Sequence, residues 1–402
     1  MTRRPSDAVT ALLGAFSLFL SAIDYLLPKP LPFMRVGLAN LPLLLALHIP
    51  ADGDRPKNSR GQTSALPGQL RPAALLLFSP RNYCLLILLK ILGQALVTGT
   101  LFSYVFLFSL AGSLSSAAAM YGLRRLFGAR ISLAGTGIAG AFVSNSAQLV
   151  LARFFLFGES ALYLAPPFLA VGIASGAALG IFAGVFAAQS EFLRRAARAV
   201  DAAGTVDAAR TGTGGTVSPR EIKPPLPRLP FFFAALALAA AFLASSALAV
   251  KAALFLLFWL LTALSGKKPR IVFTVAVMAG ITACNLFPPF GRVLAEWGPF
   301  TIALGSLENG VRKAISVEAL IMLSKLIVPS MPKLPGPFGK LLAKTLYILD
   351  RFNSHKNALA PGKIRRKPKF PAGEKEDGMK NGLARRLDLL LLELSRDGTG
   401  PK

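Results

Sequence analysis

The chain is short of most of what site chemistry and disulfide scaffolds require. Its 402 residues include two Cys and two His, too few for a disulfide framework or a Cys/His metal centre. Asp and Glu number 19 against 45 Lys and Arg, and charged residues make up only 16% of the chain. Globular chains typically carry about 25% charged residues, so soluble domains built from this sequence would lack the polar surface to cover themselves. No GxxxxGK[ST] loop occurs, nor a GxSxG elbow or paired-Asp motif (DDxxD). P-loop ATP binding is thereby excluded, and prenyl transfer through Mg²⁺-diphosphate lacks its ligands. His48 and His355 stand alone, while Cys84 and Cys284 read as small apolar packing groups. No catalytic residue, metal ligand or cofactor is expected.

What the chain has in excess is apolar length. Hydrophobic residues make up 53% and mean hydropathy is +0.55. The net charge of +26 would suggest nucleic acid in a soluble protein. Here the basic residues sit between apolar runs, the pattern of a membrane protein with cytoplasmic basic loops and no nucleic-acid partner.

A spanning helix needs about 20 mostly apolar residues. Runs are read at Ala8–Leu27, Val36–Ile49, Tyr83–Gly99 (with a lead-in at Ala73–Phe78), Leu101–Tyr121, Ile131–Phe157 and Leu164–Ala188. Arg3 and Arg4 before the first run have the outline of a secretory signal, but the run is long, carries Asp24 and lacks a small-residue cleavage site. The second run is short and needs Leu31–Met34 to reach across, so an irregular start is expected. With the N-terminus inside, the insert Pro50–Pro72, the loop Gly122–Arg130 and the segment after the sixth run fall inside, and these carry the basic residues. Six helices with both ends of this unit in the cytoplasm are expected.

Residues 189–230 are basic, then Gly/Thr-rich, then Pro-rich, and read as a cytoplasmic linker. Phe231–Leu264 is too long for one span and is expected to hold two helices turning near Lys251. Ile271–Phe287 is a further helix. Trp297–Leu307 is weakly apolar, and Glu308–Val328 reads as a tilted or broken element returning to the cytoplasm. The tail from Pro329 is basic and Pro/Gly-rich, ending in an amphipathic stretch at Leu383–Leu394. It reads as a solvated arm near anionic headgroups, with a docking segment as the alternative.

Ionisable groups inside a bilayer face the bundle interior or a wet cavity. Asp24, Lys90 and Arg153 lie in or beside apolar runs, and Arg35 sits at the outer mouth of the second. Lys90 and Gln94 are four apart on one helix face, Asn145 and Gln148 three apart on another, and Asn40 and Thr98 add hydrogen-bonding capacity. Two readings stand. Asp24, Arg35, Asn40, Lys90, Gln94, Asn145 and Gln148 line a small-molecule site open to the outside, or Asp24 pairs with Arg35 or Lys90 while Asn145 and Gln148 bond helices together. The basic Arg35 and Lys90 favour an anionic or amphipathic solute. Ala11 and Ala15 on the first run let another helix approach closely, from this chain or another subunit.

The stretch Pro30–Asn40 (PLPFMRVGLAN), with Thr98–Phe102, Ser109–Gly112, Gly137–Ala141, Asn145 and Gln148, resembles the heptaprenyl diphosphate synthase component I family, also called the Gx transporter family. That family is similar to the substrate-capture (S) subunits of energy-coupling-factor transporters. The resemblance covers about Ala8–Ala188, and the insert at 50–72 is longer than the family's usual connection. Leu307–Ala314, Leu323–Lys325 and Pro329–Lys344 look similar to part of the transmembrane coupling (T) subunit, though the motifs that dock ATPases are not clearly present. The resemblance implies an all-α polytopic membrane protein: a six-helix S-subunit-like bundle over 1–188, a linker over 189–230, a smaller partial T-like module over 231–345, and a basic tail over 346–402. It further implies no enzyme, but a capture component in the cytoplasmic membrane with cytoplasmic termini. Its partners would be a small solute, the lipid bilayer, and the T and ATPase subunits of a transporter, met through Ala11 and Ala15. The alternative is a membrane accessory of isoprenoid or quinone metabolism that scaffolds a soluble synthase.

Overall fold

The computed structural model describes residues 5–26, 37–47, 80–193, 233, 237–242, 244–245, 247–266, 271–287, 289–297, 300–328, 336–354, 385 and 387–392. Nearly all of it is helix. The longer elements are α1 (Pro5–Leu26), α2 (Leu41–Ala46), α3 (Pro80–Thr98), α4 (Tyr104–Phe127), α5 (Leu133–Ala152) and α6 (Ala161–Gln189). Then come α7 (Leu248–Leu264), α8 (Ile271–Asn285), strands β1 (Val293–Trp297) and β2 (Phe300–Ala303), α9 (Leu304–Ile327) and α10 (Gly336–Ser354). Three helical stretches are long and apolar enough to cross a membrane: Pro80–Thr98, Tyr104–Phe127 and Leu133–Gln189. The last of these reverses direction on a π turn (Arg153–Phe157) and on Gly158, whose φ of 59° lies in the left-handed region.

α5 and α6 form an antiparallel hairpin held by small residues. A Cβ on Gly137 would lie 2.5 Å from the Gly176 carbonyl oxygen, and one on Gly180 would lie 2.5 Å from that of Leu133. Lipid tails are as apolar as Leu, so helices in a bilayer associate through close packing and interhelical hydrogen bonds, which small residues permit. Large apolar side chains face outward instead, among them Ile181 and Val185 on α6 and Leu256 and Leu260 on α7.

α1 runs through the middle of this packing, and every residue from Thr10 to Ser21 is buried. One face meets α3, where Gly93 admits the Leu18 side chain. Another meets α10, where Thr345 lies against Gly14 and Phe352 stacks on Phe16 and Phe19 at 6.0 and 5.3 Å between ring centres. Ala11 and Ala15, expected to meet another subunit, are fully buried within this chain. Among the alternatives left open for their partner, the helix of the same chain is the one found.

Five further expectations are corrected. The second apolar run is irregular at its start, with Gly37 at φ 83° and a 3-10 turn over Leu38–Asn40, but α2 has only six residues. That is about 9 Å of helix, which falls short of a span, and it is buried on all sides. The break expected near Lys251 falls instead around Ser245–Ala247. Lys251 stays helical because its ammonium finds Ser316 Oγ at 3.2 Å and the face of Phe242 at 5.4 Å. The element over Glu308–Val328 is one unbroken helix, α9, of 24 residues. The chain is also not wholly helical. β1 and β2 pair antiparallel, with Trp297 opposite Phe300 and a bulge between Val293 and Ala295.

The tail is the fifth correction. Residues 346–354 continue α10, and Leu387, Leu390, Leu391 and Leu392 join the core formed by α1, α2, α6 and α10. Asp388 accepts hydrogen bonds from the Ser190 hydroxyl and, at 3.1 Å each, from the backbone N–H groups of Glu191 and Phe192. Its carboxylate thus caps the helical turn that starts after α6. This stretch docks rather than standing in solvent. The insert 50–72, the lead-in 73–78, Arg35 and the basic residues 194–228 lie outside the described residues.

Candidate solute-binding site

The polar side chains of the N-terminal half converge because each sits on the inner face of its helix. On α1 the apolar run changes character at Ser17, Ser21 and Asp24, the last two at the cavity, while the Ser17 hydroxyl donates to the Ala39 carbonyl at 2.7 Å. That bond ties the 3-10 turn to α1 and places Asn40 beside Lys90 of α3, whose ammonium donates to Asn40 Oδ1. Gln94 follows one turn after Lys90. On α4, Ser109, Ser113 and Ser116 recur at helical spacing and are all buried.

α5 supplies the opposite wall. The Gln148 amide donates to Ser144 Oγ at 3.1 Å, and the Asn145 amide donates to the Phe168 carbonyl of α6 at 3.1 Å. Gly172 makes that second bond possible, since a Cβ there would fall 2.0 Å from Asn145 Nδ2. Gly112 on α4 leaves similar room, and a Cβ there would come within 2.4 Å of Gln148 Nε2.

These groups enclose one cavity of about 50 Å³. Asp24, Asn40, Lys90, Gln94, Asn145 and Gln148, six of the residues singled out from sequence, all line it. Arg35 lies outside the described residues. Thr98 does not reach the cavity and instead bonds the Gln94 carbonyl at 2.8 Å. Arg153 pairs with Glu159 at 2.7 Å on an exposed turn. The serines Ser21, Ser109, Ser113, Ser116, Ser144 and Ser175 also line the cavity and were not among the expected site residues. The signal was legible in α4, where Ser109, Ser113 and Ser116 fall at four and three apart on one face.

A second polar group joins α7, α8 and α9. Thr274 Oγ1 donates to Glu318 at 3.2 Å, and Lys313 donates to Asn285 Oδ1 at 3.1 Å. Asn285 in turn donates to the Leu156 carbonyl at 2.9 Å, linking α8 to the turn after α5. The Phe102 N–H donates to Ser324 Oγ at 3.0 Å, a second bond between the two halves. Among the described residues no three His, Cys, Asp or Glu side chains gather as metal ligands would.

Apolar helices of spanning length around a polar interior define a helical membrane protein. Residues 71–186 match the family model described as heptaprenyl diphosphate synthase component I. It is the family to which the sequence motifs pointed. Residues 231–330 match a second model, described as a domain of unknown function (DUF8519). Neither a curated protein nor a solved structure matches the chain.

Proposed function

We propose that the chain is the substrate-capture component of a transporter of the energy-coupling-factor type. Residues 1–188 would form the S-like bundle, which takes a small solute from outside the cytoplasmic membrane into the cavity between α1, α3, α4, α5 and α6. Residues 231–345 would supply part of a T-like module, with the linker and termini on the cytoplasmic side. The observation that carries this reading is the cavity itself. Side chains from five helices and the 3-10 turn bring carboxamides, hydroxyls, a carboxylate and an ammonium to one point inside an apolar bundle, where polar groups are costly unless they serve a partner. The packing of α10 on the small-residue face of α1 is what coupling in cis would need. ATPase subunits would supply the energy.

Purification from native membranes, followed by mass spectrometry of subunits and bound small molecules, tests the reading. A co-purifying solute is expected, and Lys90→Ala with Asn145→Leu should abolish its binding. Unchanged affinity would remove these residues from the site. The printed family name favours a second reading, a membrane accessory of heptaprenyl diphosphate synthesis without a catalytic site of its own. Deleting the tail does not separate the two readings, because α10 and 387–392 are part of the core around α1. Co-purification of a soluble prenyl synthase with the intact chain, in place of ATPase subunits, is the outcome that selects the second.

A further inference from the structure

Four side chains on the cavity wall have no hydrogen-bond partner among the described residues: Ser21, Gln94, Ser113 and Ser116. All four are at least nine-tenths buried, and Ser116 Oγ is sealed from solvent altogether. Buried polar groups are rarely left unpaired, least of all in lipid where water is scarce. These four are the groups the cavity holds out to a guest. They are three hydroxyls and a carboxamide, each neutral, and each both a donor and an acceptor.

The ionic groups are placed differently. The Lys90 ammonium already donates to Asn40, and both Asp24 and Lys90 are engaged by other groups of the chain. An anion entering here would lose its hydration and, among the described residues lining the cavity, meet one cation, Lys90, set beside the carboxylate Asp24 on the same wall; that loss is expensive in a low-dielectric interior. No Phe, Tyr or Trp is among the described residues lining the cavity, so a flavin-like ring has no stacking surface. The space of about 50 Å³ has room for a few waters, far less than the roughly 300–1,000 Å³ of pockets for drug-sized ligands.

We propose that the cavity takes a compact, uncharged, non-aromatic solute bearing several hydroxyls, a small polyol, held by Ser21, Gln94, Ser113 and Ser116. This rests on the capture function above and differs from the anionic or amphipathic solute expected from Arg35 and Lys90, of which Arg35 lies outside the described residues. A ligand hydroxyl is also both donor and acceptor, so each one can satisfy a serine or the Gln94 amide in either sense. The lipid prenyl chain and the planar vitamin ring lack this match.

The test uses the full chain in lipid nanodiscs, titrated calorimetrically with glycerol, erythritol, myo-inositol, inorganic pyrophosphate and riboflavin. At least one polyol is expected to bind saturably, and Ser113→Ala and Ser116→Ala should each weaken it about tenfold at an unchanged unfolding temperature. Gln94→Leu, on a separate helix, is read in the same way should a serine variant not fold. Polyol binding indifferent to all three variants overturns the assignment of the site. Pyrophosphate or riboflavin binding that depends on Ser113 and Ser116 overturns the polyol class while leaving solute capture standing. Failure of all three polyols overturns the proposal, and the search for a co-purifying solute then decides the capture function separately.

Discussion

The two halves of the molecule both bury polar side chains between apolar helices, and they use them in opposite ways. Around α1, α3, α4 and α5 the polar groups are mostly neutral and surround a cavity, and several meet no partner among the described residues. Between α7, α8 and α9 they include Lys251, Lys313 and Glu318, and they reach one another or a neighbouring carbonyl: Lys251 to Ser316, Lys313 to Asn285, Asn285 to Leu156. The exceptions among the described residues are the second oxygen of Glu318, which is buried without a partner while its first accepts from Thr274, and Nε of Arg312, whose Nη2 pairs with Glu308. Interhelical bonds of the second kind hold helices in register and contribute modestly, on average about 0.6 kcal/mol each in a membrane. Unmet groups of the first kind cost stability, about 1–3 kcal/mol for each one fully buried, and under the capture reading proposed above a bound solute would meet them. Burial of a polar residue in a membrane helix therefore does not by itself mark a binding site. The distinguishing feature is whether its partners are already present.

The largest effect is expected where the N-terminal cavity depends on the α5–α6 hairpin. Gly137→Val places side-chain atoms against the Gly176 carbonyl, which cannot rotate away as a side chain can. The helices must separate, at a cost of about 3 kcal/mol, seen as loss of monodisperse protein and of solute binding together. Gly112→Ala is next. Its added methyl meets the movable end of Gln148, so the fold should survive while the cavity shrinks and solute binding weakens about tenfold. Equal losses of stability and binding in this variant would blur the contrast between the two halves.

Asp388→Asn removes the charge that caps the turn after Ser190, and thermal unfolding should register a loss of about 1 kcal/mol. Full stability would mean that the apolar contacts of Leu387 and Leu390–Leu392 alone hold this stretch. The smallest effect is expected at Lys251→Met. The apolar replacement keeps the stem's packing, and Ser316 still donates to the Arg312 carbonyl at 2.8 Å. Replacing a buried charge by an apolar group of similar volume is often neutral, so unfolding and solute binding should both stay at wild-type values. A loss of binding here would show that the second polar group reaches the cavity and would erase the difference between the halves.

The positions of α1, α3, α4, α5, α6 and α8 were legible because spanning length and hydropathy carry them; their ends lie within a few residues of the apolar runs, except that α4 runs on to Phe127, through most of the stretch Gly122–Arg130 read as a loop. The hairpin β1–β2 was passed over. Its strands are short, its Trp, Phe, Val and Ile residues read equally as weak helix, and the turn signal lay in the Gly298-Pro299 pair between them. The break before α7 was misplaced because Lys251 looked like a loop residue; its hydrogen bond to Ser316, 65 residues away, has no local trace. At the cavity, the charged and carboxamide residues stood out against apolar neighbours, whereas serines are common in membrane helices and drew no notice singly.

Composition and hydropathy by themselves determined that this is a membrane protein of apolar helices, and motifs in its first half pointed to the family whose model matches residues 71–186. These depend on local chemistry: how many apolar residues follow one another, and which small or polar ones interrupt them. Tertiary structure alone decided that α10 and the end of the tail cover α1, so that Ala11 and Ala15 face their own chain. It also decided which buried polar groups already have partners and which face an open space. Both outcomes are set by distances between residues far apart in the chain, and no short window of sequence encodes such a distance.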